Sequence, residues 1–464
     1  MMGPVQEAQA ALFYEFSVED HIPDDHPLRA IDKFVDLTSL RQHLASFYSS
    51  TERPSIDPEL LIRMLLVGYV MGVRSERRLC QEVHLNLAYR WFCRLDLSDP
   101  VPDHSTFSKN RHGRFRDSDL LRHVFETVVA RCIAEGLVGG QRLAVDASLI
   151  EADTNRQNST AKEDWEPDKI DPDSAPRAVR EYLATLDEAA FGAATPVQPK
   201  FMSHSDPAAQ WTAARKGPAY FAYSANYMID TDHAVILDVE ATRSVRQAEL
   251  GAMQTMIDRT SDVFDIQPQR MIADTAYGTG PLLEWLVQER GIAPHIPVVD
   301  KSSRADGTFE RADFTYDAGS DVYICPGGKE LKQNRRTFKT PRQPKSDKDG
   351  ILRYRARKAD CDGCRFKARC CPKAPQRKVT RSIYEPSRDV ARKISQTIDY
   401  AISCKLRKKV EMLFAHLKRI LKLDRLQLRG PCGARDEFHL AATAQNLRKL
   451  AKLIPAQENL QQTA

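Results

Sequence analysis

Three acidic side chains stand where they could hold divalent cations. Asp146 closes the apolar run Leu143-Ala144-Val145, Asp274 closes Met271-Ile272-Ala273, and Glu411 follows the basic run Arg407-Lys408-Lys409-Val410. The first two runs read as strands. The third reads as a helix, because Val410, Phe414, Leu417 and Leu421 recur at helical spacing and form one apolar stripe. At about 100° per residue, Arg407, Glu411 and Lys418 share the neighbouring face. Mg²⁺ takes oxygen ligands and keeps several waters, so two or three carboxylates plus substrate oxygens suffice to hold it. Two such ions about 4 Å apart can clamp the attacking and leaving oxygens of an in-line displacement. The chemistry open to this set of acids is therefore the breaking and joining of phosphodiester bonds. A strand-end cap is the other reading of either Asp, and Asp153, Asp238 and Glu240 are nearby competitors.

The elements that must carry these acids follow from patterning. Residues 1–140 read as helical and as a DNA-binding domain. Asp57-Pro58-Glu59 is a helix start, with a capping Asp, Pro at the first helical position and an acid in the first turn. Ser75-Glu76 starts a second helix after the break at Gly72, and Asp103 to Arg111 starts a third. That third start is rich in groups that reach phosphates or base edges, Lys109 and Arg111 among them. Helix pairs joined this way fit a helix-turn-helix module or an ordinary bundle. A further helix runs from about Ser118 to Gly136.

Strands follow at Leu143–Ile150, Tyr220–Ile229 and Ala234–Ala241, the last two forming a hairpin around Asp230-Thr231-Asp232. Residues 152–217 are polar and Pro-rich and read as an insertion or arm, with one helix around Val179–Ala190. An amphipathic helix spans Gln247–Val263, then come a strand Arg270–Ala276, a helix Gly280–Arg290 and a strand Ile292–Val299. The long Glu411 helix extends to about Leu423. Three strands before the first helix, then strand-helix alternation, imply an α/β fold with a mixed sheet and helices on both faces. The order matches the ribonuclease-H-like fold, with the first Asp on the first strand, the second at the end of the fourth and the Glu on a late helix. Residues 141–300 would be the first part of the catalytic domain, 301–386 a basic Cys-rich insertion, 387–450 the end of the catalytic domain with its Glu helix, and 451–464 a disordered tail.

The segment Arg407-(x3)-Glu411-(x6)-Lys418 resembles the signature helix of DDE-type insertion-sequence transposases, Tyr-(x2)-Arg-(x3)-Glu-(x6)-Lys. Five further stretches resemble the IS-eleven-eighty-two type branch of that superfamily. They are Pro54 to Arg63, Asp103 to Arg111, Trp211-Thr-Ala-Ala-Arg-Lys-Gly-Pro-Ala, Ala273-Asp274-Thr-Ala-Tyr-Gly and Val410-Glu-Met-Leu-Phe-Ala-His-Leu-Lys418. The resemblance covers roughly residues 12–450. It implies that Asp146, Asp274 and Glu411 bind two Mg²⁺ or Mn²⁺ ions. It also implies an enzyme that binds the inverted repeats of a mobile element, cleaves the flanking bonds and transfers the freed 3′-hydroxyl into target DNA, as a homodimer in the synaptic complex. Arg407 and Lys418 would hold DNA phosphates. Cys404 stands in the place of the signature Tyr, and Tyr400, one turn earlier, could substitute for its DNA contact. A metal-dependent nuclease without strand transfer, and a non-catalytic DNA-binding protein derived from a transposase, are the other functions to separate from this one.

Cys361-Asp-Gly-Cys364 with Cys370-Cys371 and an upstream Cys325 resembles a zinc ribbon, since tetrahedral Zn²⁺ takes four Cys or His ligands from two turn-borne pairs. Cys325, Cys361, Cys364 and Cys370 would be the ligands, with Cys371 competing, and reduced structural thiols are the other reading. Around them, Lys329 to Arg381 is dense in basic residues, including Arg335-Arg336, Arg355 and Arg357, with Tyr354 and Phe366 interleaved. Basic groups can position a phosphate backbone and flat groups can stack on unpaired bases.

The remaining features mainly exclude. The net charge of +5 is modest, so DNA affinity must come from local clusters rather than the global charge. The N-terminus shows no secretory pattern, and the apolar stretch from Leu60 to Val73 is broken by Arg63 and too short to span a bilayer. A cytoplasmic, nucleoid-associated protein of bacterial type is expected, in which the ten cysteines are thiols or metal ligands. No phosphate-cradling Gly loop points to a nucleotide cofactor.

Overall fold

A computed structural model of the chain describes residues 16–48, 55–184, 199–213, 217–300, 306–334, 346–347 and 350–454. It divides into two compact units: residues 1–139, 147–266 and 410–464 form one, and residues 140–146 and 267–409 the other.

The first unit opens with helices α1 (Pro27–Asp32), α2 (Leu40–Leu44), α3 (Pro58–Met71), α4 (Glu76–Leu85), α5 (Leu87–Phe92), α6 (His104–Arg111), α7 (Arg114–Asp117) and α8 (Leu120–Ala134). The expected starts hold. Asp57 accepts from the Glu59 N–H, Ser75 from Arg78 and Asp103 from Ser105, each quenching an orphan donor of a first turn. Gly72 ends α3 in the left-handed region at φ 71°, where a Cβ is penalised. Arg63 is buried on α3 because Asp32 and Glu59 each accept from it at 2.9 Å. The unit also holds the end of strand β1 (Arg142–Glu151), a short pair β2 (Ser159–Ala161) and β3 (Phe201–Ser203), and helix α9 (Arg177–Ala184). Strands β4 (Gln210–Ala213), β5 (Ala219–Asp230) and β6 (Ile236–Arg243) are antiparallel neighbours, and β5 also pairs with β1. The stretch 152–217 is thus more than an arm, since β4 returns to the edge of β5. Helix α10 (Arg246–Phe264) follows.

In the second unit the start of β1 pairs in parallel with β7 (Arg270–Ile272), and β7 pairs in parallel with β8 (Ala293–His295). Both strands are shorter than the sequence suggests. Past Ile272 the backbone turns at once, because the Asp274 carboxylate accepts from the Ala276 N–H at 2.7 Å and caps the turn Thr275–Tyr277. Beyond His295, Pro297 has no N–H to give a ladder. Helix α11 (Gly280–Glu284) runs on as a π-turn over Trp285–Glu289 rather than as a regular helix to Arg290. The insertion folds as a three-stranded antiparallel sheet, β9 (Thr315–Asp317), β10 (Val322–Ile324) and β11 (Glu330–Leu331), plus a ribbon of β12 (Ile351–Arg355) and β13 (Lys378–Ser382). The short helices α12 (Lys358–Asp362) and α13 (Lys367–Cys370) lie between the ribbon strands, and α14 (Glu385–Ile394) comes after them.

Helix α15 (Ile398–Arg419) starts in the second unit and ends in the first, where it is followed by α16 (Gly430–Leu453). Buried residues run along most of α16 and around all its sides, so it is a core helix of the first unit. The fold is mixed α/β, with antiparallel and parallel strand pairs and flanking helices. The expected tail falls mostly on residues 455–464, which lie outside the described residues, as do Arg335 and Arg336 of the basic run.

Candidate active site and nucleic-acid interface

The parallel register of β1 and β7 pairs Arg142 with Arg270, Leu143 with Met271 and Ala144 with Ile272. Asp146 and Asp274 keep the same separation along the chain as these pairs. The pairing stops at Ala144 and Ile272, so Asp146 lies two residues further along β1 and Asp274 two residues past the end of β7, where it caps the turn that follows. Leu143, Ala144 and Val145 are fully buried, and the chain reaches solvent only at Asp146, which is half-buried like Asp274. Gly278 explains why the turn after Asp274 tolerates no side chain: a Cβ there would stand 1.9 Å from the Pro297 carbonyl oxygen. The strand end, the cap and the close approach together fix where the Asp274 carboxylate emerges. The pair offers hard oxygen donors of the kind Mg²⁺ accepts. Among the described residues no three His, Cys, Asp or Glu side chains form a group that could hold a metal ion.

On α15 the expected stripe is real, since Val410, Phe414, Leu417 and Leu421 are all buried. Phe414 stacks on Tyr227 of β5 at 5.2 Å between centroids. Glu411 is exposed and Arg407 half-buried. Lys418 is not a surface cation. Its Nζ donates to the Leu149 carbonyl at 2.8 Å, and burial lowers its pKa. It thereby ties the end of the Glu helix to β1, three residues beyond Asp146.

The start of α15 is anchored by polar contacts that the sequence did not announce. Arg270 of β7 pairs with Asp399 at 2.7 Å, and the buried Ser403 hydroxyl meets the His295 ring of β8 at 2.8 Å. Tyr400 lies against that same ring, and Cys404, in the signature-Tyr position, is exposed. No periodicity could have revealed the Arg270–Asp399 and Ser403–His295 pairs, because each partner is a single polar residue whose mate is more than a hundred positions away.

The competing acids are committed elsewhere. Asp238 is buried between Arg122 at 3.0 Å and Arg259 at 2.7 Å, and Arg259 also pairs with Glu240. Asp153 is held by Arg425 at 3.2 Å and Arg429 at 3.0 Å. Of the two expected DNA contacts in the helical region, Lys109 is exposed but Arg111 is not. Arg111 is buried, ion-paired to Glu76 and 3.9 Å from Asp436, which withdraws it from any phosphate. Arg355 and Arg357 are exposed. Tyr354 is fully buried with its hydroxyl on Asp321, so it cannot stack on a base.

The sulfurs of the insertion lie around Gly327 and the adjoining apolar cluster, against which Cys325 also packs. Cys325 and Cys364 both border Gly327, each 3.6 Å from its would-be Cβ. They accept N–H bonds from Lys329 at 3.3 Å and Phe366 at 3.4 Å. Cys361, Cys370 and Cys371 lie in an apolar cluster with Phe309, Phe314, Tyr323, Leu331 and Val379. Burial raises the Cys361 thiol and pushes the Cys370 thiol up to about 11.

Among the described residues no helix is long and apolar enough to cross a membrane. No curated protein matches the chain. One solved structure similar to it is a cryo-EM structure of piggyBac transposase synaptic complex with hairpin DNA. The TM-score is 0.32 and the identity 10%, over 93% of this chain and 83% of that one, a likeness too loose to carry an argument. Residues 16–113 match the family described as transposase domain (DUF772), which spans α1 to α6. Residues 324–451 match the family described as transposase DDE domain, which takes in Glu411, all of α15 and most of α16. With matches to a transposase domain over residues 16–113 and to a transposase DDE domain over residues 324–451, the chain is a DNA transposase.

Proposed function

We propose that this transposase serves an insertion sequence of the IS-eleven-eighty-two type. It binds the terminal inverted repeats, hydrolyses the flanking bonds and joins the freed 3′-hydroxyls to target DNA, with a homodimer bringing two ends together. Asp146, Asp274 and Glu411 are the acids of a ribonuclease-H-like catalytic domain. The observation that most supports this reading is the parallel pairing of β1 with β7, since Asp146 and Asp274 each follow by two residues the last paired residue of an apolar strand. Divalent Mg²⁺ or Mn²⁺ held by these acids would supply Lewis-acid activation of the attacking oxygen and stabilise the leaving one. The chain's own residues orient the acids. Asp274 is fixed by its cap to Ala276, Lys418 secures the end of the Glu helix, and Arg270 with Asp399 secures its beginning. Lys109 and Arg407 contact phosphates, whereas Arg111 and Lys418 serve the fold.

A strand-transfer assay with pre-cleaved ends separates the rivals. The transposase joins such ends to a target plasmid when Mg²⁺ is added. A protein that nicks but never joins is a nuclease, and one that does neither is a DNA-binding derivative. Terminal inverted repeats flanking the reading frame would identify the substrate directly.

Cys325, Cys361, Cys364 and Cys370 would be the ligands of one zinc ion, for which their sulfurs must draw closer together than they stand here. The backbone N–H groups aimed at the sulfurs of Cys325 and Cys364 are donors of the kind that support metal-bound sulfur. Freshly purified, metal-replete protein is then expected to carry about one zinc per chain, the number a single four-ligand site takes, and to release it when the thiols are blocked. Metal-free protein of unchanged stability would leave all five cysteines as structural thiols.

A further inference from the structure

We infer that the exposed face of the β12–β13 ribbon tracks the backbone of duplex DNA and reads no sequence there. This rests on the transposase reading and says how one surface of the chain serves it. The register pairs Arg353 with Thr380, Tyr354 with Val379 and Arg355 with Lys378. Tyr354 and Val379 are buried on one face, while Arg353, Arg355, Thr380 and Lys378 are exposed on the other. On its far side Arg355 bridges to Lys332, the residue after β11, so Lys332, Arg355 and Lys378 form a row across three backbone segments.

Like charges directly opposite one another destabilise a sheet. Glu330 pairs with Lys332 at 2.7 Å, but both side chains are largely in water, where such a pair contributes under ~1 kcal/mol. A polyanion lying across all three cations relieves their repulsion more fully. With strands about 4.8 Å apart the row spans about 10 Å, and duplex DNA presents a charge about every 1.7 Å of its axis, so each cation can meet its own phosphate.

Two further basic residues of the insertion are committed to its core. Arg377 is buried and donates to the carbonyls of Cys370 at 2.7 Å and Phe309 at 2.6 Å. Arg381 lies over the Tyr316 ring at 3.7 Å. Because the Tyr354 ring is turned into the core, the row offers charge without an aromatic platform. That is the chemistry of phosphate contact rather than of base stacking.

The test is a triple variant, Lys332→Gln, Arg355→Gln and Lys378→Gln, with binding measured without added Mg²⁺ or Mn²⁺, and without chelator, on a transposon-end duplex and on an unrelated duplex from 50 to 200 mM salt. Loss of three phosphate contacts should make the slope of log affinity against log salt shallower by about 2.7 and weaken both duplexes alike, on the order of a hundredfold near 0.1 M salt. The melting temperature should stay level or rise. An unchanged slope, a loss confined to the end sequence, or a fall in melting temperature would each overturn the inference. Failure of the unaltered protein to bind either duplex would instead count against the transposase reading.

Discussion

Replacing Asp274 by Asn is expected to abolish strand cleavage while DNA binding without divalent cations stays intact. The choice of Asn matters. The Asp274 carboxylate also caps the turn Thr275–Tyr277 through the Ala276 N–H, and losing a cap costs about 1 kcal/mol. Asn caps about as well as Asp, so the turn and the Gly278 approach to Pro297 survive while the anionic donor is lost. Cleavage should fall by a factor on the order of 10³ or more, the size seen when a group that stabilises transition-state charge is removed. The same is expected of Asp146→Asn, the proposed acid on the partner strand of β7. Cleavage retained by either variant, with folding verified, would remove that residue from the catalytic set. A matched loss of cleavage and of EDTA-insensitive binding would mean the change acted on the fold. The competing acids Asp153 and Asp238 already hold arginines, so neither is placed to take over.

The candidate acids could be picked out because each terminates an apolar run or borders an apolar stripe, and hydrophobic patterning is the strongest local signal a sequence carries. Cap residues were equally plain, as Asp57, Ser75 and Asp103 show. What failed was any inference about a side chain's partner. Arg111 and Lys418 read as phosphate ligands by type and spacing, yet one pairs with Glu76 and the other with the Leu149 carbonyl. A long basic side chain looks the same in sequence whether it faces solvent or a buried acceptor. The short edge strand β4 was hidden in a polar, Pro-rich stretch, since an edge strand needs little apolar patterning of its own. Helix α16 was missed for another reason. It is buried on all sides, so its apolar residues form no stripe, and polar members such as Asn446 disguise it. Asn446 is a core residue whose amide both accepts from and donates to the Ile236 backbone. The start at Gly430-Pro431 was the available cue, because Pro is favoured in a first turn.

Replacing Glu437 by Ala is expected to destabilise the first unit by about 3–5 kcal/mol, the cost of stranding a buried charge. Glu437 on α16 is 1% exposed and has two tasks. One carboxylate oxygen accepts the backbone N–H groups of Gln427 at 2.7 Å and Leu428 at 2.6 Å. The other pairs with Arg74, whose guanidinium lies over the Tyr69 ring at 4.3 Å. Ala removes both functions at once, leaving Arg74 charged in the core and two N–H groups without that acceptor. Domains are stable by only about 5–15 kcal/mol, so the loss should show as a large drop in the denaturant midpoint. The double change Arg74→Met with Glu437→Gln separates the two contributions. Gln keeps an acceptor for Gln427 and Leu428, and Met fills the space beside Tyr69 without a charge, so most of the stability should return, because an apolar replacement of a buried pair is often neutral. If the double variant is as unstable as Glu437→Ala, the ion pair itself holds the helices together. If Glu437→Ala is barely destabilised, then α16 is secured by its apolar contacts alone and the charges buried beside it contribute little to the fold.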